Sequence, residues 1–167
     1  MKYEEGVVPI FYQHYYPYVP LPVNLEPQPG AGNMNLVISL IEQGIAGERE
    51  DELFYDYLIS VAPTQQEKQV IAGIRDDERK HRRYFRQLYT QLTGMAPPAA
   101  EGEGFTRPSS YLEGIERALM GELKAFEKYR TIYLNIPAPY RDVIFEIMTD
   151  ELKHASYYNW LYAKNKA

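Results

Sequence analysis

The chain has 167 residues and a formal net charge of −5, long enough for one buried core and too acidic for nucleic acid to be its main partner. It has no cysteine, which excludes disulfides, iron–sulfur clusters and thiol catalysis. No apolar run approaches the roughly 18–20 residues of a membrane span, and Glu4, Glu5 and early prolines stand where a secretion signal would be basic and then apolar. A soluble cytoplasmic protein engaging no membrane is the expectation.

Residues 1–32 hold six of the twelve prolines, together with Tyr12, Tyr15, Tyr16 and Tyr18. Proline fixes φ and removes a backbone donor, so an irregular, partly polyproline-like arm is expected here. His14 is read as a solvated side chain.

From about Asn33 to Val61, Ile41, Ile45, Tyr55 and Ile59 keep helical spacing, with Glu48 and Glu52 filling the stripe between them. Ala62-Pro63 breaks the pattern. Thr64 with Glu67 has the form of a capping box and opens a second helix. Its inner stripe reads Ile71, Ile74, Glu78, His81, Phe85, Leu88, until Gly94 ends it.

Residues 94–110 contain Pro97, Pro98, Pro108 and three glycines, so they read as a connection. Ser110 with Glu113 caps a third helix, which runs to about Asn135 with Ile115, Leu119, Glu122, Phe126 and Tyr129 inward. Pro137 and Pro139 mark a turn. The last helix places Ile144, Ile147, Glu151, His154, Tyr158 and Leu161 inward. Trp160 and the methionines read as packing. Arg75, Arg79, Arg82, Arg83 and Arg86 read as an outer face of the second helix paired with Glu50, Asp51 and Asp56.

Two of these helices share a pattern. Asp77-Glu78-Arg79-Lys80-His81 returns as Asp150-Glu151-Leu152-Lys153-His154. Residues i and i+3 share a helix face, so each copy presents a carboxylate beside an imidazole. The repeat extends upstream, where Gly47-Glu48 precedes Tyr55 just as Gly121-Glu122 precedes Tyr129. Glu48 and Glu78 each lie about 14 residues from the first turn, and Glu122 and Glu151 about 13 from the second. At about 1.5 Å per residue, antiparallel hairpins would bring each pair of glutamates to one height.

Four carboxylates and two neutral imidazoles in an apolar interior carry four negative charges, which two divalent cations would neutralise. The mixed oxygen and nitrogen donors suit iron or manganese, and are compatible with zinc.

Residues 33–167 resemble the ferritin-like superfamily, and within it the di-iron domain of rubrerythrins. The resemblance implies an all-α, ferritin-like four-helix bundle made of two helix hairpins joined by a long crossover. It implies Glu48 and Glu122 as terminal ligands, Glu78 and Glu151 as metal bridges, and His81 and His154 as imidazole ligands. These six would also carry the reaction. Asp77 would orient His154, and Asp150 would orient His81. Tyr55 and Tyr129, two helical turns past the terminal glutamates, would either donate to ligating carboxylates or pack the core.

Two departures narrow the resemblance. Many rubrerythrins have a further glutamate three residues after the third-helix ligand, where this chain has Ala125, while Asp51 stands at the matching place on the first helix. With no cysteine there is no rubredoxin module, so electrons would come from an external donor.

The leading expectation is therefore an oxidoreductase with two metal ions, iron or an iron/manganese pair, acting on peroxide or dioxygen by peroxide reduction or ferrous iron oxidation. The alternative is a structural or spore-coat-associated protein, in which the metal stabilises the fold and the Tyr/Pro arm makes contacts. A homodimer is expected on resemblance alone. A storage cage is disfavoured, because no fifth helix follows the fourth.

Overall fold

The computed structural model describes residues 33–46, 48–99 and 105–166, the side chains of Glu48 and Arg49 excepted. The N-terminal arm expected over 1–32, with its tyrosines and His14, lies outside the described residues. Among the described residues every regular element is helical: α1 (Met34–Ala46), α2 (Glu48–Val61), α3 (Gln65–Thr93), α4 (Tyr111–Asn135) and α5 (Arg141–Asn165), with one 3-10 turn at Ala138–Tyr140. The stretch expected as one helix over 33–61 is described as α1 and α2, on either side of residue 47, which lies outside the described residues. No described helix is long and apolar enough to cross a membrane.

The helix ends follow their local chemistry. Thr64 Oγ1 accepts from the Glu67 amide at 3.3 Å and opens α3. The chain leaves α3 through Gly94, whose φ of 71° would strain any residue with a Cβ, and the Gly94 amide donates to the Thr90 carbonyl at 2.8 Å. Ser110 Oγ accepts from the Glu113 amide at 3.1 Å. The return bond expected of a capping box is displaced by one residue, since the Glu113 carboxylate accepts from the Ser109 amide at 2.8 Å.

Two apolar slabs form the interior. Val37, Ile41 and Ile45 of α1 meet Phe85 and Leu88 of α3, Ile132 of α4, and Ile144 and Ile147 of α5 in the first. Leu58 of α2 meets Ile71 and Ile74 of α3, Ile115 of α4, and Tyr158 and Leu161 of α5 in the second. Each fully buried aliphatic side chain contributes about 1.5–3 kcal/mol. Thus α1 serves one slab and α2 the other, while α3, α4 and α5 run through both. The residues of α3 between Ile74 and Phe85, and those of α5 between Ile147 and Tyr158, fall between the slabs, and both copies of the repeat lie there.

The surface departs from the sequence reading in three places. Glu52 does not extend the inner stripe; it sits at the α2–α3 seam, where Arg82 reaches it at 2.8 Å and Arg79 pairs with it too. Among the α3 arginines, Arg75 does meet Asp56, at 2.7 Å, but Glu50 pairs with Arg117 of α4 at 3.2 Å. Trp160 is substantially exposed, with Lys164 Nζ 5.2 Å from its ring centroid.

Candidate metal centre

Because Glu78 and His81 are one turn apart on α3, and Glu151 and His154 one turn apart on α5, the packing of α3 on α5 turns both pairs toward the same interior space. Glu122 of α4 completes a set that is buried apart from Glu78, which stays partly accessible. Ligand atoms of Glu78, Glu122, Glu151 and His154 all lie within 4.8 Å of one another. His81 joins them, its Nδ1 3.2 Å from Glu151 Oε1 and 3.4 Å from Glu78 Oε1. His154 Nδ1 lies 3.2 Å from Glu78 Oε1 and 3.6 Å from Glu122 Oε2. Of the six ligands expected from the sequence, five converge; Glu48 begins α2, and its side chain lies outside the described residues.

The inner atoms of this cluster are close but not hydrogen-bonded. Glu78 Oε1, Glu151 Oε1 and the Nδ1 atoms of His81 and His154 are all buried without a hydrogen-bond partner. Buried polar atoms are ordinarily satisfied, so four orphans facing one another point to a cation. Carboxylate oxygens and imidazole nitrogens are the donor set of iron, manganese or zinc. The residues fit such ions.

The outer nitrogens are held. His81 Nε2 lies 3.1 Å from Asp150 Oδ2, and His154 Nε2 lies 3.2 Å from Asp77 Oδ2. Each aspartate therefore serves the histidine of the other copy. Each carboxylate is in turn tethered by lysine: Lys153 Nζ reaches Asp77 Oδ2 at 2.8 Å and Asp150 Oδ1 at 2.6 Å, while Lys80 Nζ reaches Asp150 at 3.2 Å and Glu146 at 2.9 Å. The sequence reading gave these lysines no role. Their signal was present, since lysine occupies the fourth place of both copies.

Three buried tyrosines surround the cluster. Tyr55 donates from its hydroxyl to Glu122 Oε1 at 3.4 Å. Tyr129 packs its ring on Phe85, centroids 4.9 Å apart, and makes no hydrogen bond to a carboxylate among the described residues. Tyr158 is fully buried with an unpartnered hydroxyl.

Charges that cannot reach water act strongly on one another here. Burial opposes ionisation of Glu78, but His154 and His81 beside it prevail and hold it at about 2. Burial likewise disfavours a charged His154, yet Glu122 and Glu78 push it to about 10. Glu151 is driven well above the carboxylate range by burial and then by Glu78 and Glu122. The buried carboxylates thus favour protons on the imidazoles, and a metal binding there would displace them.

A cavity of about 350 Å³ opens between α2 and α4 onto Glu78, Glu122 and Glu151. Asp51, Tyr55, Lys128 and Tyr129 also line it, and Ala125 is too short to fill it. Burial, then Glu78, raises Asp51 to about 6. Burial lowers Lys128 below the usual lysine range. Neither residue was assigned a ligand role from the sequence.

No protein-family model matches this chain, and no curated protein matches it.

Proposed function

We propose that this chain is a rubrerythrin-like di-metal carboxylate protein of the ferritin-like superfamily, and that its two metal ions are iron or an iron/manganese pair. The observation that carries this reading is the set of four unpartnered inner atoms on Glu78, His81, Glu151 and His154, with each histidine held from behind by the aspartate of the opposite copy. A cluster needed only for packing gains nothing from leaving four buried atoms unbonded.

The helix contacts favour a four-helix bundle of two hairpins, in which α1 and α2 together make one long helix. Although consecutive in the chain, α3 and α4 each pack on α1, α2 and α5. A crossover between α3 and α4 accounts for that, and the described residues just before α4 dock on α2, where Phe105 meets Tyr57 with centroids 5.7 Å apart and Pro108 accepts from the Tyr57 hydroxyl at 3.3 Å.

The metals, when bound, would supply one electron each to a peroxide or dioxygen molecule entering from the cavity, drawing on an external donor for the next turnover. The chain's own part is to hold and shield. Glu78, Glu122, Glu151, His81 and His154 would hold the ions, and Asp77 and Asp150 fix the imidazoles. The slabs on either side keep bulk water from the centre.

The test is anaerobic loading with ferrous iron, elemental analysis, and then addition of peroxide or air while the visible spectrum is recorded. Two ions per chain and rapid consumption of one oxidant are expected. Loading that raises the melting temperature while reduced protein consumes neither oxidant would replace the enzyme reading with the structural one.

A further inference from the structure

We propose that the outer face of α5 binds a second copy of this chain. The two helices lie antiparallel about a two-fold axis near Leu152, with Phe145 of each copy seated in a groove beside Trp160 of the other. Resemblance alone leads to a pair without a surface; α5 supplies one. The contact leaves the metal centre untouched and would form whether or not ions are bound.

Phe145, Thr149, Leu152, Ser156 and Trp160 recur every three or four residues, so they share one side of α5, and all five are exposed. Phe145 is 53% open to water and Leu152 42%. Large residues alternate with small ones along a strip of about 22 Å. The two small ones are prepared for burial. Thr149 Oγ1 donates to the Phe145 carbonyl at 2.9 Å, and Ser156 Oγ to the Leu152 carbonyl at 2.8 Å. A partner would cover no unsatisfied hydroxyl there, which removes the usual cost of burying one.

The strip ends in a groove of about 580 Å³, lined by Gln66 and Val70 of α3 with Lys153, Ser156, Tyr157 and Trp160 of α5, which has room for an aromatic ring. Phe145 and this groove occupy opposite ends of the same strip. A two-fold axis between them therefore places each ring in the other copy's groove, and the contact closes on itself as a dimer. Charge fixes the direction. Asp142 and Glu146 outnumber Arg141 at the Phe145 end, whereas Lys153, Lys164 and Lys166 border the Trp160 end. Antiparallel helices set the acidic end of one copy on the basic end of the other; parallel ones would set like on like. One helix face per copy is a small interface, so association in about the micromolar range is expected.

The experiment is sedimentation equilibrium of the full chain at about 1–100 µM, for wild type, Phe145→Glu, Leu152→Glu and Leu53→Glu. Leu53 of α2 is exposed to nearly the same degree as Leu152 but lies off the strip. Trp160 is the one tryptophan of the chain, so its emission reports on the groove in the same samples. Far-UV circular dichroism checks that each variant is folded, and Phe145→Ser replaces Phe145→Glu if the latter fails that check. Wild type and Leu53→Glu are expected to pair, with Trp160 emission moving to the red on dilution. Phe145→Glu and Leu152→Glu are expected to associate at least about tenfold more weakly. The proposal is overturned if wild type is monomeric at every concentration, if either α5 variant pairs as wild type does, or if Leu53→Glu separates the copies as Phe145→Glu does.

Discussion

His81 Nε2 lies 3.1 Å from Asp150 Oδ2, a carboxylate on the opposite copy of the repeat, 69 positions along the chain. Its mirror image joins His154 to Asp77 at 3.2 Å. An imidazole that donates from Nε2 keeps the Nδ1 lone pair for the centre, so the aspartates select the tautomer that can ligate. Asp150→Ala is expected to weaken metal binding about 10–100-fold. Asp77→Ala should do less, because the Asp77 side chain is 29% exposed against 15% for Asp150, and water can replace it more readily. Competition with a chromophoric chelator measures both, and unchanged affinity in the two variants would remove the aspartates from the site.

Lys153 spans these two aspartates, yet its side chain is 45% exposed. Exposed ion pairs contribute at most about 1 kcal/mol. Lys153→Met should therefore shift urea unfolding by less than that, while lowering metal affinity a few-fold through poorer aspartate alignment. A large stability loss with metal affinity intact would instead make Lys153 a structural strut.

Much of this was legible in the residues. The stripes of α3 and α5 follow from spacing, because a long amphipathic helix has one phase from end to end, and every inner position named for α5 is buried. The cap residues Thr64 and Ser110 and the stop at Gly94 follow from local chemistry. The face of α2 was misread: Leu58, not Ile59, is the fully buried position, and Glu52 turns to the α3 arginines. Lys128 and Asp51 were beyond reach, since only the packing of α2 against α4 makes a cavity wall of them.

Glu67 is a buried carboxylate far from the repeat. It accepts from the Tyr111 hydroxyl at 2.9 Å and from Asn165 Nδ2 at 3.0 Å, and pairs with Lys164 Nζ at 2.9 Å, tying the starts of α3 and α4 to the end of α5. Burial alone would raise its pKa, but Lys164, Tyr111, Asn165 and Thr64 together hold it below the ordinary 4.5. A depressed carboxylate stabilises the fold above its unfolded value, and that contribution disappears as pH falls through the folded one. Glu67→Gln should therefore destabilise by about 1–3 kcal/mol at pH 7, with the gap to wild type closing below pH 4.5. Urea midpoints at pH 7 and in mild acid check this; an equal gap at both would mean that the charge contributes nothing.

Two helical glycines should respond oppositely to one methyl group. A Cβ on Gly114 of α4 would fall 2.6 Å from Leu58 Cδ2 and 3.4 Å from Pro108 Cγ. Leu58 is fully buried, so its side chain has little room to yield, and Gly114→Ala should destabilise by about 1–3 kcal/mol. At Gly73 of α3 nothing lies within 4 Å of the added carbon. There the substitution only reduces the freedom of the unfolded chain, and Gly73→Ala should stabilise by about 0.5–1 kcal/mol. Chemical denaturation of the two variants gives the sign directly. A stabilised Gly114→Ala would mean that Leu58 is free to swing aside, and that α2 and α4 pack less tightly at this level than their close approach implies.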